Sequence, residues 1–251
     1  MKTKKPKTQH SFNITTKWKR FMAVGCSHGV YADPNAVAGV LKFREQWKPD
    51  TTIHLGDFID MSPFMSSAKG KGDPIEPDIT NGLGFLNQYR PNIILNGNHE
   101  VRLWKEALSN DEVYSGYAIR LINDIKETAN KLNAALIDYT GIWQSYKLAD
   151  YTFTHGTIYG EQVCRDMAEI YGNVIFAHTH KVGMAVGRRT DTPKGICVGT
   201  LTKRGALEYA NTRRATFAWS QGMTWGVYNE NKLIPWLHEQ PHDIPDWVLP
   251  I

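Results

Sequence analysis

Short apolar runs, separated by longer stretches of helical periodicity, organise the first half of this 251-residue chain. The runs at 20–24, 51–54 and 91–95 are bounded by polar residues, which predicts buried strands. Between the first two, apolar positions keep helical spacing after an Asp33-Pro34 start, namely Val37, Val40, Leu41 and Trp47. This order of strand, helix and strand predicts a βαβ unit with parallel strands.

More helices follow in the predicted first half. Residues 84–89 and 100–107 each favour a helix, and Ser109 with Glu112 has the Ser-x-x-Glu spacing of a capping box that opens another. An apolar stripe predicts that this last helix faces the core: Tyr117, Leu121, Ile125 and Leu132.

The second half carries more strand-like runs. One helix is predicted at 161–171, and strands are predicted at 139–146, 151–154, 174–177, 184–187, 195–201 and 223–228. Four tryptophans in the C-terminal part are expected to be packing residues rather than a base-stacking platform: Trp219, Trp225, Trp236 and Trp247.

Residues 61–80 interrupt this rhythm. They contain Pro63, Pro74, Pro77, Gly70 and Gly72 after a strand end, which predicts a long loop inserted into the domain. Such a loop is either a lid or binding loop, or a passive surface excursion.

Charge is unevenly distributed along the chain. Of the 29 Lys and Arg residues, seven lie in residues 1–20 with no acidic residue, so the remainder holds 22 basic and 25 acidic residues and a formal charge of −3. We therefore predict a basic, flexible arm at 1–19 and one domain at 20–251. The arm either holds nucleic acid electrostatically or is a solubilising tail.

Composition narrows the compartment. No apolar run approaches the roughly 18 residues of a membrane span, and the N-terminus lacks the apolar region of a secretory signal. Three cysteines (Cys26, Cys164 and Cys197) argue against a disulfide framework and for a reducing compartment. The expected location is the cytoplasm, and no membrane partner is expected.

Polar motifs follow the predicted strands one after another. They are Cys26-Ser27-His28, Gly56-Asp57-Phe58-Ile59-Asp60, Gly97-Asn98-His99-Glu100, His155-Gly156 and His178-Thr179-His180. Five of the nine histidines fall in these motifs. Because open α/β sheets place ligands at the carboxyl ends of their strands, we expect the motifs to form one site.

The residue types suit divalent cations. Hard cations take carboxylate and amide oxygens, and borderline ones also take imidazole nitrogens. Two cations held about 3.5–4 Å apart need a shared carboxylate with ligands on either side. The motifs supply that inventory in Asp57, Asn98, His28, His155, His178 and His180.

In their order, the motifs resemble those of the calcineurin-like metallophosphoesterases, over residues 21–181. The resemblance is closest to the short, stand-alone enzymes often encoded by phages and prophages, for which the location would be the host cytoplasm. It implies a four-layer α/β/β/α sandwich and two divalent metal ions (Mn, Zn, Fe, Ni or Mg). It also implies hydrolysis of phosphate mono- or diesters by in-line attack of a metal-bridging hydroxide.

Site roles are implied position by position. Asp57 resembles the bridging carboxylate, His28 and His180 ligands of the first metal, and Asn98, His155 and His178 ligands of the second. His99 resembles the catalytic histidine, with Asp60 orienting it. Arg102, one turn later, either clamps a phosphate oxygen or is a surface arginine.

Two positions depart from the family pattern. Ala177 replaces a usual glycine, which we expect to be harmless. Cys26 stands where the family has an aspartate that binds the first metal. Its thiolate would favour softer ions such as zinc or iron. Alternatively Cys26 stays a protonated thiol and the first metal is weak, or the site is inactive.

The expected substrate is a nucleotide or nucleic-acid phosphodiester, from the basic arm and basic residues of the C-terminal third: Arg188, Arg189, Lys203, Arg204, Arg213 and Arg214. The rival hypothesis is a catalytically weak or inactive protein that binds nucleic acid or another ligand and retains the fold.

Overall fold

The computed structural model describes residues 17–64, 74–207, 210, 214–244 and 246–250. In these residues eleven strands form two sheets, accompanied by five α-helices. The strands are β1 Lys19–Val24, β2 Thr51–His54, β3 Ile93–Leu95, β4 Ala135–Ile137, β5 Tyr146–Leu148, β6 Tyr151–Phe153, β7 Val174–Phe176, β8 Val182–Val186, β9 Lys194–Val198, β10 Gly222–Tyr228 and β11 Leu233–Glu239. The helices are α1 Pro34–Trp47, α2 Ile75–Tyr89, α3 Val101–Glu106, α4 Glu112–Lys131 and α5 Val163–Tyr171.

The two sheets have different strand orders. The first runs β11-β10-β1-β2-β3-β4, with β1 to β4 parallel and β10 and β11 antiparallel to their neighbours. The second runs β5-β6-β7-β9-β8, with β6, β7 and β9 parallel and the edge strands antiparallel. In each sheet, then, parallel central strands direct their carboxyl ends to one edge.

Side-chain alternation along β1 builds the layers. Phe21 lies in the core between the sheets and contacts Phe153 of β6 edge to face, with ring centroids 5.9 Å apart. Met22, one residue on, points to the opposite face and packs with Val40 of α1. Helix α5 covers the outer face of the second sheet through Met167. The expected α/β/β/α sandwich is confirmed. Successive side chains of a strand point to opposite faces of its sheet, so one strand contributes both to the core between the sheets and to the core beneath the helices.

Helix α2 begins earlier than the sequence pattern predicted. Residues 75–80 are helical rather than part of the loop, and Pro74 and Pro77 lie at the N-cap and in the first turn. Proline is tolerated there because first-turn N–H groups have no partner within the helix. Residues 65–73 of the predicted loop lie outside the described residues.

Helix α4 has a different cap from the one predicted. The N-cap is Asp111, whose carboxylate accepts hydrogen bonds from the backbone N–H groups of Val113 and Tyr114 at 3.1 and 3.2 Å. Ser109 instead accepts from the N–H of Asp111 at 3.2 Å. The predicted capping box is therefore wrong, although the helix and its core-facing stripe are present.

Strand boundaries around residue 140 were also mispredicted. Residues 139–146 do not form one strand: β4 ends at Ile137, a 3-10 turn spans Gly141–Trp143, and β5 begins at Tyr146. Strand β11 was missed as well. Short runs of mixed polarity at sheet edges take their structure from their partners, which local periodicity does not show.

The chain termini and membrane-spanning potential complete the fold. Most of the basic arm, residues 1–16, lies outside the described residues, so the arm and its boundary stay predictions. None of the helices in the described part of the chain is long and apolar enough to cross a membrane.

Candidate metal centre

All the motif residues lie where strands end. Cys26 and His28 follow β1, Asp57 follows β2, and Asn98 and His99 follow β3, three adjacent parallel strands of the first sheet. His155 follows β6, and the His178-His180 pair follows β7, its parallel neighbour in the second sheet. The site therefore forms where the carboxyl ends of the parallel strands of the two sheets come together.

The loops that carry these residues are unusually shaped. Positive φ angles of 51° to 65° occur at five candidate ligands: Cys26, His28, Asp57, His178 and His180. Left-handed backbone at non-glycine residues costs about 1–3 kcal/mol each and persists where surrounding contacts enforce it. Here the enforcing contacts include hydrogen bonds from His28 N to the Asp57 carbonyl at 2.9 Å and from Cys26 N to the Gly56 carbonyl at 2.9 Å.

Gly97 lets the loop after β3 approach the loop after β2, which carries Asp57. A Cβ at this position would lie 2.1 Å from Oδ1 of Asp57, which no side chain could accommodate. That oxygen instead accepts a hydrogen bond from the N–H of His99 at 3.0 Å. The other oxygen of Asp57, Oδ2, is thereby directed to the centre of the site.

The first cluster comprises Cys26, His28, Asp57 and His180, all buried, with one ligand atom from each within 4.8 Å of the others. Nε2 of His28 lies 3.0 Å from Nε2 of His180 and 3.7 Å from Oδ2 of Asp57. Nδ1 of His28 donates a hydrogen bond to the Asp60 carboxylate at 3.0 Å. Nε2 of the neutral ring is therefore unprotonated, and its lone pair faces the cluster.

The second cluster comprises Asp57, His155 and His178, joined by the amide of Asn98. Nδ1 of His155 donates to the Leu55 carbonyl at 2.8 Å, so Nε2 of the neutral ring carries a lone pair. It faces three more groups: Oδ2 of Asp57 at 3.2 Å, Oδ1 of Asn98 at 3.0 Å and Nδ1 of His178 at 3.2 Å.

This convergence of acceptors calls for positive charge between them. Burial opposes charge on His155, yet the carboxylate of Asp57 outweighs it and raises the pKa of the imidazole. A divalent cation meets the same need without a proton, since metal ligands must be deprotonated. Burial and His155 together lower the pKa of His178 to about 3, which keeps that ring in the neutral, metal-binding form. The donor set therefore fits divalent cations.

His99 and Asp60 form a pair beside the first cluster. Nδ1 of His99 lies 2.8 Å from the Asp60 carbonyl and 3.1 Å from its carboxylate, so this nitrogen is the donor. Nε2 faces the site, 3.8 Å from Oδ2 of Asp57. Asp60 thus orients two imidazoles, His99 and His28, and the second of these contacts was not foreseen from sequence.

Arg102 lies against this pair rather than on a free surface. One guanidinium nitrogen donates to the Asp60 carbonyl at 2.6 Å, and another lies 3.3 Å from Nε2 of His99. The side chain is half-buried. Its cationic fork is therefore held beside the histidine that was expected to act on the substrate.

Cys26 points into the first cluster as a thiol. Burial, and then the charge of Asp57, raises the pKa of Cys26 well above its ordinary value. The sulfur accepts a hydrogen bond from the backbone N–H of His178 at 3.3 Å. Its position suits a ligand, whereas a cation would first have to displace the thiol proton.

Two buried carboxyl groups that support the site were not predicted from sequence. Glu100 accepts hydrogen bonds from the N–H groups of Gly97, Asp57 and Ile59 at 2.6, 2.8 and 3.1 Å. These bonds connect the loop after β2 with the loop after β3. Burial and the charge of Asp57 raise the pKa of Glu100 to about 7. Glu100 was visible in the motif, but nothing local indicated its partners.

Asp78 of α2 has the same supporting role on the other side. Its carboxylate accepts from the N–H groups of Asp60 and Met61 at 3.0 and 2.8 Å, and burial raises its pKa to about 6. No sequence signal marked this residue, because it falls in the stretch predicted as a loop.

Of the four C-terminal tryptophans, three pack as predicted. Trp225 is buried, Trp247 packs against the same core cluster, and Trp236, although 43% exposed, lies against the ring of Trp225 with centroids 6.2 Å apart. Trp219 differs: it is half-buried, its ring centroid lies 4.4 Å from that of His180, and it lines a pocket. On the second cluster, the exposed ring of Tyr159 lies 4.3 Å from that of His178.

The predicted basic residues that the structure describes lie in different surroundings. Arg189 is paired with Asp191 in a bidentate contact at 2.7 and 3.1 Å, on the loop between β8 and β9. Arg204 is exposed and lines the same pocket as Trp219. Arg213 lies outside the described residues.

Comparison with known proteins gave one family match. The model for calcineurin-like phosphoesterases matches residues 19–182. A search of curated proteins gave no match.

Several solved structures have a similar shape. An archaeal phosphodiesterase has 16% identity and a TM-score of 0.45, covering 87% of this chain and 99% of its own. A phosphoesterase from E. coli, Yfce, has 16% identity and a TM-score of 0.40, covering 87% of this chain and 98% of its own. Vps29 of Chaetomium thermophilum has 12% identity and a TM-score of 0.38, covering 88% and 95%. Similarity at this level carries no information about activity.

Proposed function

The chain belongs to the calcineurin-like phosphoesterase family and is a metal-dependent hydrolase of phosphate esters; from this premise we propose that it binds two divalent cations and hydrolyses nucleotide or nucleic-acid phosphodiesters. The observation that carries the dinuclear centre is the position of Asp57. Its Oδ2 faces His155 at 3.2 Å on one side and His28 at 3.7 Å on the other. One carboxylate oxygen is therefore available to both clusters.

Each cation would have its own ligand set. His28, His180 and Asp57, with Cys26 as a thiolate, would hold the first, and Asn98, His155, His178 and Asp57 the second. When bound, such a pair activates a water nucleophile and neutralises charge on the phosphoryl group.

The protein side chains orient and protonate. His99 directs Nε2 into the site while Asp60 holds the proton on Nδ1, so His99 in its doubly protonated form can donate a proton to the leaving oxygen. Burial opposes protonation of His99, but Asp57 and Asp60 outweigh it and raise the pKa of the imidazole. Arg102, held beside His99, supplies donors to a phosphate oxygen.

The second candidate is a catalytically weak or inactive protein that retains the fold and binds nucleic acid or another ligand; its inactive form is the one tested below. It is favoured by Cys26, because the raised pKa of this buried thiol disfavours the thiolate that the first cation would need. On that hypothesis the protein binds at most one cation and turns over no activated ester.

One experiment separates the two candidates. Elemental analysis of the purified protein is combined with hydrolysis of bis-p-nitrophenyl phosphate and p-nitrophenyl phosphate, across added Mn, Mg, Zn, Ni and Fe. We expect two metals per chain and turnover, with the diester preferred. One metal or none, with no turnover under any ion, would overturn the dinuclear enzyme and favour the binding protein.

His99→Ala tests the proton donor. We expect unchanged metal content and a loss of about 10²-fold or more in hydrolysis, as removal of a general acid gives. The control is Lys131→Ala, an exposed side chain of α4 outside both clusters. An unaffected rate would remove His99 from the reaction.

The basic arm supports a nucleic-acid substrate. Deleting residues 1–19 should weaken DNA or RNA binding in a salt-dependent way and leave hydrolysis of a small ester intact. Survival of nucleic-acid binding would make the arm a tail only. We also propose a cytoplasmic location, supported by three free cysteines.

A further inference from the structure

A pocket adjoins the first cluster beside His180. Trp219 lines it, and the ring of Trp219 contacts that of His180. Two more lining residues hold the ligand loops: Ser220 N donates to the His180 carbonyl at 2.9 Å, and Thr200 Oγ1 donates to the Cys26 carbonyl at 2.7 Å. The pocket wall and the first cluster therefore share one backbone framework.

The pocket is large enough for a flat ring. Its volume is about 140 Å³, some ten times what a single buried water requires. The half-buried indole of Trp219 supplies a planar wall. Aromatic walls stack nucleobases with about 1–3 kcal/mol per base and tolerate every base, since each has a π-face.

The pocket lining also holds a hydrogen-bond acceptor, Asp33, in a fixed position. Nε2 of Gln221 donates to Asp33 Oδ2 at 3.0 Å and to the Thr202 carbonyl at 2.9 Å, which holds both side chains in place. Asp33 Oδ1 accepts from the N–H of Asn35 at 2.9 Å. A carboxylate has about four acceptor sites, so Asp33 retains capacity for N–H donors of a ligand.

The rim of the pocket is basic. Arg204 and His242 are both exposed and line the pocket. The guanidinium of Arg204 suits a neighbouring phosphate of a nucleic-acid backbone rather than an uncharged apolar group. The planar wall and the fixed acceptor match the base of a nucleotide and the amino or imino N–H groups of that base, while the reacting phosphate would lie at the metal centre.

We propose that this pocket binds the nucleobase of the substrate, so that the protein selects nucleotide diesters over simple phosphate diesters. The proposal rests on the proposed function, because it names the substrate class of the same site. The residues assigned to the pocket are Asp33, Thr202, Arg204, Trp219, Gln221 and His242.

The test compares two substrates with the same leaving group. One is the p-nitrophenyl ester of adenosine 5′-monophosphate, and the other is methyl p-nitrophenyl phosphate, which has no base. We expect the wild-type protein to have the higher kcat/KM on the nucleoside ester. Trp219→Leu should lower the ratio of the two kcat/KM values about tenfold, the equivalent of about 1.4 kcal/mol of stacking.

Two further variants separate stacking from support of His180. Trp219→Phe keeps a flat ring and should restore most of the ratio. Phe217→Leu, which removes an exposed aromatic two residues away, should leave both rates and their ratio unchanged. A wild-type protein without preference, or a Trp219→Leu variant that loses both activities equally, would overturn the nucleobase pocket.

A binding measurement distinguishes this failure from failure of the proposed function. Calorimetry compares adenosine 5′-monophosphate with ribose 5-phosphate on the wild-type protein and Trp219→Leu. Hydrolysis of both esters without base preference in binding or rate would retain the phosphoesterase and reject the pocket. Absence of hydrolysis, with tighter binding of the base-bearing ligand that Trp219→Leu abolishes, would retain the pocket and reject the diesterase.

Discussion

The two clusters of the candidate metal centre share Asp57 and differ in their remaining candidate ligands. The second cluster is built from amide and imidazole groups whose lone pairs already face its centre, with His155 fixed by a backbone carbonyl. The first cluster includes a thiol that must lose its proton before it can bind. The comparison teaches that neighbouring sites on one carboxylate can differ in the metals they prefer, because ligand softness decides that preference.

The supports of the two clusters differ too. In the first cluster, His28 is oriented by the carboxylate of Asp60, and the backbone N–H of Asp60 is in turn hydrogen-bonded to the carboxylate of Asp78. In the second cluster, the ring of His155 is oriented by the backbone carbonyl of Leu55, a residue of the core between the sheets. The backbone N–H of His155 donates to the side-chain oxygen of Gln144 at 2.9 Å. We therefore expect the second cluster to tolerate changes in the surrounding loops better than the first.

The largest effect is expected from Asp57→Asn, which removes the one ligand that the clusters share. Both cations should be lost or weakened, and hydrolysis should fall by at least about 10³-fold, since metals supply several kcal/mol of charge stabilisation. Elemental analysis and bis-p-nitrophenyl phosphate hydrolysis measure this, with the exposed carboxylate change Asp124→Asn as control. Retention of two metals would contradict the shared-ligand role.

His178→Ala and His180→Ala break the comparison one side at a time. Each should leave one cation per chain and lower hydrolysis by about 10²-fold, because one source of charge stabilisation is lost. After dialysis against equal Mn and Zn, His180→Ala should retain manganese better, while His178→Ala, which keeps the Cys26 side, should favour zinc. Identical metal content in the two variants would show that the clusters do not differ.

Cys26→Asp is expected to make the two clusters alike. A carboxylate is a better ligand for hard cations than a thiol, so activity with Mn or Mg should rise about tenfold and the zinc preference should fall. Cys197→Ser, a change at another buried cysteine outside the clusters, is the matched control. A fall in manganese-dependent activity would mean that Cys26 is required as it stands.

The smallest effect is expected from Glu100→Gln, which alters a support common to both clusters. A glutamine offers one acceptor oxygen where three N–H donors converge, and its NH₂ group would face a donor. We expect a loss of about 1–3 kcal/mol in unfolding free energy by denaturant titration, with both metals retained at saturating concentration. Stability equal to wild type would indicate that the loops are held by other contacts.

Much of the site was visible in the sequence because its residues follow strands directly. Apolar runs ending in Cys26-Ser27-His28, Gly56-Asp57 and Gly97-Asn98-His99 already implied that their side chains meet at one sheet edge. The structure brings these residues together with His155, His178, His180, Asp60 and Arg102. Their individual roles stay predictions that the experiments above address.

Other features depended on contacts between distant segments. The support of Asp60 by Asp78 joins residues from a strand end and a helix that local composition marked as loop. The cap at Asp111 and the edge strands β4 and β11 were likewise decided by neighbours rather than by their own periodicity.

By itself, the sequence determined most of the alternation of strands and helices and the set of candidate metal ligands, because periodicity and strand-end motifs are local properties, and the family resemblance of those motifs implied the class of fold. The tertiary structure decided what surrounds them. The left-handed backbone at the ligands, the tautomer of His155 and the contact of Trp219 with His180 each depend on atoms brought from distant segments. Such contacts form only when the two sheets pack, so they leave no periodic trace along the chain.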